Sequence, residues 1–134
     1  IQIPVNLFDQ RFIPLLERAG NSDIEIHARS VFLQGLFFLD PENLPDHFKP
    51  AADNLRQVHL LSKETGVGIH ELCLGFAVNQ PLIGQVVIGV ESLDNLAENA
   101  DTDFIQVKSI LTHEVVSVFQ VDDESILVPY KWKL

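Results

Sequence analysis

Methionine is absent from the 134 residues, and cysteine occurs once, as Cys73. A single thiol excludes an internal disulfide and a cluster of thiolate metal ligands. Basic residues are scarce: 9 Lys and Arg stand against 19 Asp and Glu, a formal charge of −10. With no Lys/Arg cluster to reverse that field locally, a phosphate backbone is repelled and nucleic-acid binding is not expected. Long apolar runs are also missing, since none approaches the roughly 20 residues that cross a bilayer. A membrane partner is therefore not expected, and a cytoplasmic setting is. The five histidines (27, 47, 59, 70 and 113) form no i,i+4 pair with a carboxylate partner, so no metal is expected. A chain that opens Ile-Gln-Ile-Pro-Val without methionine reads as starting at an internal residue of a longer protein.

What is present is an ordinary globular composition, 46% hydrophobic and 21% charged, spread through every segment. Ile1 to Asn6 alternates as a short strand, with Pro4 marking its end or a sheet edge. Asp9 is a candidate N-cap for a helix carrying Phe12, Leu15, Leu16 and Ala19, with Gly20-Asn21 as its stop. Pro14 fits only the first turn of that helix. Ile24 to Ala28 reads as a second strand, and Leu36 to Pro50 as a proline-punctuated loop. Helices are expected over Asp53–Thr65, stopped by Gly66, and over His70–Asn79, whose wide apolar stripe around Cys73 implies deep burial. Gln85 to Ile88 is continuously apolar after its first residue, as in a covered parallel strand, and Ser92 is a good cap for the helix that follows. Strand, helix, strand, helices, strand, helix is the order of βαβ units. After Thr102 the signal weakens to a helix and an apolar tail.

Three stretches together resemble the aldo/keto reductases. Ile1-Gln2-Ile3-Pro4-Val5-Asn6-Leu7-Phe8-Asp9-Gln10-Arg11 is similar to the family's sixth strand and its "Q-x-x-Y-N-x-x-D-x-R" continuation. Ala28-Arg29-Ser30-Val31-Phe32-Leu33-Gln34-Gly35-Leu36 resembles the end of the seventh strand, "S-P-L-x-x-G-L". Val87 to Asn99 looks like the eighth strand and a helix ending in "L-x-E-N". The resemblance implies an α/β fold: an incomplete (β/α)8 TIM barrel of about three β/α units plus a C-terminal helical tail. Residues 1–102 would hold the β/α units and residues 103–134 the helix and tail.

The resemblance also implies the C-terminal part of an NAD(P)-dependent oxidoreductase that reduces aldehyde, ketone or sugar carbonyls. Gln2 would bond the nicotinamide carboxamide, and Arg29 would lie against the nicotinamide ring where many relatives place an aromatic. Ser30, Phe32, Gln34 and Gly35 would form the pyrophosphate turn. Gly89, Val90, Glu91, Ser92 and Asn95 would line the adenosine-ribose end, with Glu98 and Asn99 at the adenine amino group. Relatives preferring NADP carry cations at the positions of Gly89 and Asn95. Their absence, with Glu91 and Asp94 nearby, tilts the expectation from NADP toward NAD.

The family's tyrosine acid, lysine, aspartate and histidine lie on earlier strands. Tyr130, the only tyrosine here, stands near Lys131 and Lys133 without reproducing that set. The chain alone is therefore expected to be inactive, its small carbonyl substrate belonging to the intact parent. The alternative reading is a free-standing half-barrel that binds a nucleotide or a protein without chemistry. Exposed barrel edges would favour self-association.

Each residue also has a plainer role. Gly35 and Gly89 fit turns, Ser92 a simple cap, Glu98 and Asn99 a solvated helix end, and Arg29 a pair with Glu25. Cys73, amid apolar neighbours, reads as inert core.

Overall fold

In a computed structural model, which describes residues 1–19 and 23–132, three short parallel strands organise the chain. They are β1 (Gln2–Pro4), β2 (His27–Arg29) and β3 (Gln85–Val86), in the order β1-β2-β3. The register pairs Gln2 with His27 and Pro4 with Arg29 on one side, and His27 with Gln85 on the other. Pro4, which has no N–H to give a ladder, sits at the end of an edge strand.

The expected incomplete (β/α)8 barrel of about three β/α units is not what forms. The fold is α/β, but a small sheet is set in a helix-rich chain, and three such units cannot be delineated. Strands expected over six, five and four residues contract to three, three and two. Pro4 ends the first, and left-handed backbone at Ser30, φ 58°, turns the chain out of the second. The third finds no further strand beside it among the described residues.

The helices follow their caps. After α1 (Ile13–Ala19), which has Pro14 in its first turn, come α2 (Ala52–Thr65) and α3 (Ile69–Val78). Gly66 ends α2 in the left-handed conformation at φ 72°, its N–H closing on the Ser62 carbonyl. The Gly68 N–H donates to Glu71 Oε2 at 2.8 Å, which satisfies a donor at the start of α3. Ser92 caps α4 (Leu93–Ala100) by accepting from the Asn95 N–H at 3.1 Å. The shorter α5 (Phe104–Ile110), α6 (His113–Ser117) and α7 (Glu124–Leu127) complete the chain.

Two readings of local structure are corrected. Asp9 does not cap α1: it is buried, and Arg11 Nε closes on its Oδ1 at 2.8 Å. The loop expected over residues 36–50 contains 3-10 segments at Leu33–Phe38 and Asp46–Ala51. The expected stop at Gly20-Asn21 lies outside the described residues, as does Lys133.

The core draws on both ends of the described chain, while α4 contributes no buried residue. Val5, Leu7 and Phe8 meet Phe37, Leu55, Val58 and all of residues 72–74 of α3, and the C-terminal helices add Val107, Val116, Phe119 and Ile126. Phe8 stands edge-on to Phe37 at 4.6 Å between ring centres, and Trp132 edge-on to Phe48 at 4.7 Å. Cys73 is fully buried, and burial pushes its thiol far above the usual range, as an inert core residue requires. No helix of the described residues is long and apolar enough to cross a membrane.

Candidate functional site

A cleft of about 780 Å³ opens beyond the carboxyl ends of β2 and β3. Open parallel sheets place ligands in that position, and the volume is that of a small-molecule site. One wall is the turn after β2. Ser30, Leu33 and Gln34 hold φ values of 58°, 43° and 53°, and Gly35 follows at 85°. Each left-handed non-glycine residue costs roughly 1–2 kcal/mol, so something must hold the turn. Val31, Leu33 and Leu36 anchor it in the core, and Asn6 Nδ2 donates to the Ser30 carbonyl at 3.0 Å. The turn is closed by the Leu33 N–H on Ser30 O and the Gly35 N–H on Phe32 O. The Val31 and Phe32 N–H groups donate to no other backbone or side chain among the described residues. Strained backbone of this kind concentrates at ligand sites.

The opposite wall is the segment after β3 and the first turns of α4. Val87, Ile88, Gly89 and Glu91 line it. Asn95, Glu98 and Asn99 fall at i, i+3 and i+4, so one helix face presents all three to the cleft. Ser92, which caps α4 by accepting from the Asn95 N–H, does not itself line the cleft. Gly89 has nothing within 4 Å of the position a Cβ would take, so the cleft there is empty space.

Thus Ser30, Phe32, Gln34, Gly35, Gly89, Glu91, Asn95, Glu98 and Asn99 are brought together from two stretches more than fifty residues apart. Gln2, Arg29, Val90 and Ser92 are not among the lining residues. Gln2 begins β1 beside His27, at the end of the sheet away from the cleft. Arg29 does not pair with Glu25; its Nη1 donates to Ser30 Oγ at 3.0 Å, while Glu25 meets His27 and Gln85. Val90 and Ser92 are exposed.

The cleft also takes in residues that sequence reasoning missed: Val31, Leu33, Phe38, His70, Val87 and Ile88. Val87 and Ile88 read as strand interior, and Phe38 as loop. His70 sits on a helix whose other residues point to a core stripe, so periodicity carried no sign of it.

The lining side chains include the carboxylates of Glu91 and Glu98, and no lysine or arginine. No group of three or more His, Cys, Asp or Glu suited to a metal occurs among the described residues. Tyr130 lies outside the cleft, 86% exposed, and Lys131 is engaged with Glu124 at 2.6 Å. The arrangement can bind and orient a ligand through backbone N–H groups, amides and carboxylates, and it contains no tyrosine acid. No family model matches the chain, and no curated protein matches it.

Proposed function

We propose that the cleft binds a nicotinamide dinucleotide, and that the chain is part of an NAD(P)-dependent oxidoreductase of the aldo/keto reductase kind. The carbonyl substrate, an aldehyde, ketone or sugar, belongs to the intact parent. The chain by itself binds without catalysing, since its one tyrosine does not line the cleft. One observation carries the reading. Nine positions singled out by the resemblance, in two separate stretches, line a single cleft, and two N–H groups of its turn, those of Val31 and Phe32, have no partner among the described residues. A cytoplasmic setting goes with this reading.

Cofactor choice follows from charge. Glu91 and Asn95 line the cleft where a second ribose phosphate would need a cation. NAD is expected to bind at least as tightly as NADP in calorimetric titration. Asn95→Arg is expected to improve NADP binding about tenfold while changing NAD little. A strong NADP preference in the unaltered chain would overturn the assignment.

Self-association is part of the same proposal. Among the described residues β3 leaves an open edge, and in the chain after it Val87, Val90, Leu93 and Leu96 are exposed, Leu93 by 83%. Open edges with adjoining apolar surface pair with further chains. Light scattering is expected to give a dimer at micromolar concentrations, and Leu93→Glu with Leu96→Glu to return it to a monomer. A stable monomer of the unaltered chain would contradict this.

A further inference from the structure

We propose that His70 is the cleft's anion-contacting residue, its protonated imidazole donating to a phosphoryl oxygen of the bound dinucleotide. The inference rests on the nucleotide reading above and assigns to it a residue that the resemblance did not supply.

Three observations meet at this side chain. His70 lines the cleft although it belongs to α3, whose residues 72–77 are all buried in the core. Its ring is held in place by an absence: a Cβ on Gly68 would lie 2.8 Å from His70 Cε1 and 2.9 Å from Nδ1. Gly68 has φ −62°, a conformation open to any residue, so the turn makes no demand for glycine there. What the missing Cβ provides is the space the imidazole occupies. Finally, His27, His47 and His59 each have a polar partner at 3.1, 2.8 and 2.9 Å. The His70 ring has none among the described residues.

The cleft needs what this ring can supply. A dinucleotide brings two phosphoryl charges to walls that carry Glu91 and Glu98 and no lysine or arginine. Imidazole is the side chain whose charge changes between about pH 5 and 8. The charged groups around it are few. Glu71 on α3 is engaged with the Gly68 N–H, and Glu91 and Glu98 approach from the segment before α4 and from α4 itself. Arg29 on β2 is turned to Ser30 Oγ. On α2, Lys63 and Glu64 are exposed near the helix end, and α5 meets α3 through Val107 against Gly75, with Asp103 and Lys108 exposed.

Proton linkage gives the sign. An anion beside the ring favours the imidazolium, so the bound state keeps its proton to higher pH than the free cleft does. The added affinity is therefore greater in acid and falls as pH rises. NAD is a suitable probe because its pyrophosphate keeps a fixed charge over this range.

The test is calorimetric titration of NAD into the purified chain between about pH 5.5 and 8.5, in buffers of different ionisation enthalpy. The expected result is binding about fivefold to tenfold tighter at the acid end, with net proton uptake near neutrality. His70→Gln keeps the amide-like hydrogen bonding and removes the charge; it is expected to bind NAD with no pH dependence and no proton uptake. Gly68→Ala retains the imidazole but displaces it, and is expected to lose the same linkage. Unaltered pH dependence in His70→Gln, or none in the parent chain, overturns the role of His70 and leaves the nucleotide reading standing. No NAD binding at any pH overturns both.

Discussion

Asn6→Ala is expected to destabilise the chain by about 2–4 kcal/mol and to lower Tm by roughly 10 °C. Asn6 is fully buried and makes three hydrogen bonds. Its Oδ1 accepts from the N–H groups of Phe8 and Asp9 at 3.0 and 2.9 Å, and its Nδ2 donates to the Ser30 carbonyl at 3.0 Å. Alanine leaves the Phe8 and Asp9 N–H donors without that partner in the interior, where each orphaned group carries its full desolvation cost. It also takes from the Ser30 carbonyl one of two donors, the Leu33 N–H remaining. The bond from Asn6 to Ser30 joins the end of β1 to the turn that walls the cleft. Asn6→Ala should therefore weaken ligand binding even where the folded state persists, because the left-handed residues of that turn lose a restraint. Thermal denaturation reads the first effect and NAD titration the second. Asn6→Asp keeps the acceptor and loses the donor, so it separates the local loop from the bond to Ser30. Wild-type stability in Asn6→Ala would show that the bond to Ser30 is dispensable.

Gly75→Val is expected to cost about 3 kcal/mol or more, by overpacking at the crossing of α3 and α5. A Cβ on Gly75 would stand 2.4 Å from Val107 Cγ1 and 2.8 Å from Val107 Cβ, and Val107 is fully buried. The obstruction is a branched side chain fixed in the core, with no flexible end to swing aside. Gly75→Ala is informative for the opposite reason. Alanine is favoured over glycine in a helix by about 1 kcal/mol, so a net loss in stability isolates the steric term. In a double-mutant cycle, Val107→Ala should recover part of the Gly75→Val loss, which independent sites would not do. Asn79 reinforces the same junction, its Nδ2 donating to the carbonyls of Gly75 at 2.8 Å and Phe104 at 3.1 Å. Denaturant unfolding of the four variants measures the coupling. Full additivity would mean that α5 does not lie on Gly75.

Local chemistry was legible in the sequence where one residue decides the outcome. Gly66 ends α2, Ser92 caps α4, and the broad apolar stripe around Cys73 is buried from Leu72 to Ala77, with Val78 at its end exposed. The strands were overread because an apolar alternating segment forms a ladder only where a neighbour is present, and the sheet has three short members. Asp9 shows how a local signal loses to a tertiary one. Its carboxylate is drawn to Arg11, whose guanidinium also reaches Glu124 at 3.0 Å across the fold. The 3-10 segments between β2 and α2 escaped notice because neither has a helical period: left-handed Gln34 and Gly35 interrupt the first, and Pro45 and Pro50 bracket the second.

The site was legible in the same uneven way. Gly35, Gly89, Asn95 and Glu98 were singled out by the resemblance of the stretches that carry them, and they line one cleft. The contact of Asn6 with Ser30 joins positions 24 apart, and the seat of His70 over Gly68 depends on ring orientation. Neither leaves a trace in composition or period. Gln2 falls outside because it starts β1 at the opposite end of the sheet, and the Arg29 guanidinium is engaged with Ser30 Oγ and does not line the cleft.

That the cleft receives a nicotinamide dinucleotide is tested most directly by titrating NADH into the purified chain and following its fluorescence. Gly89→Phe serves as the blocked control. Gly89 lies in the cleft with open space around its Cβ position and no left-handed backbone, so the ring enters the cleft without straining the fold. The account expects saturable binding near one equivalent per chain, abolished in Gly89→Phe at unchanged Tm. Absence of saturable binding by the unaltered chain, or undiminished binding by Gly89→Phe, would contradict it.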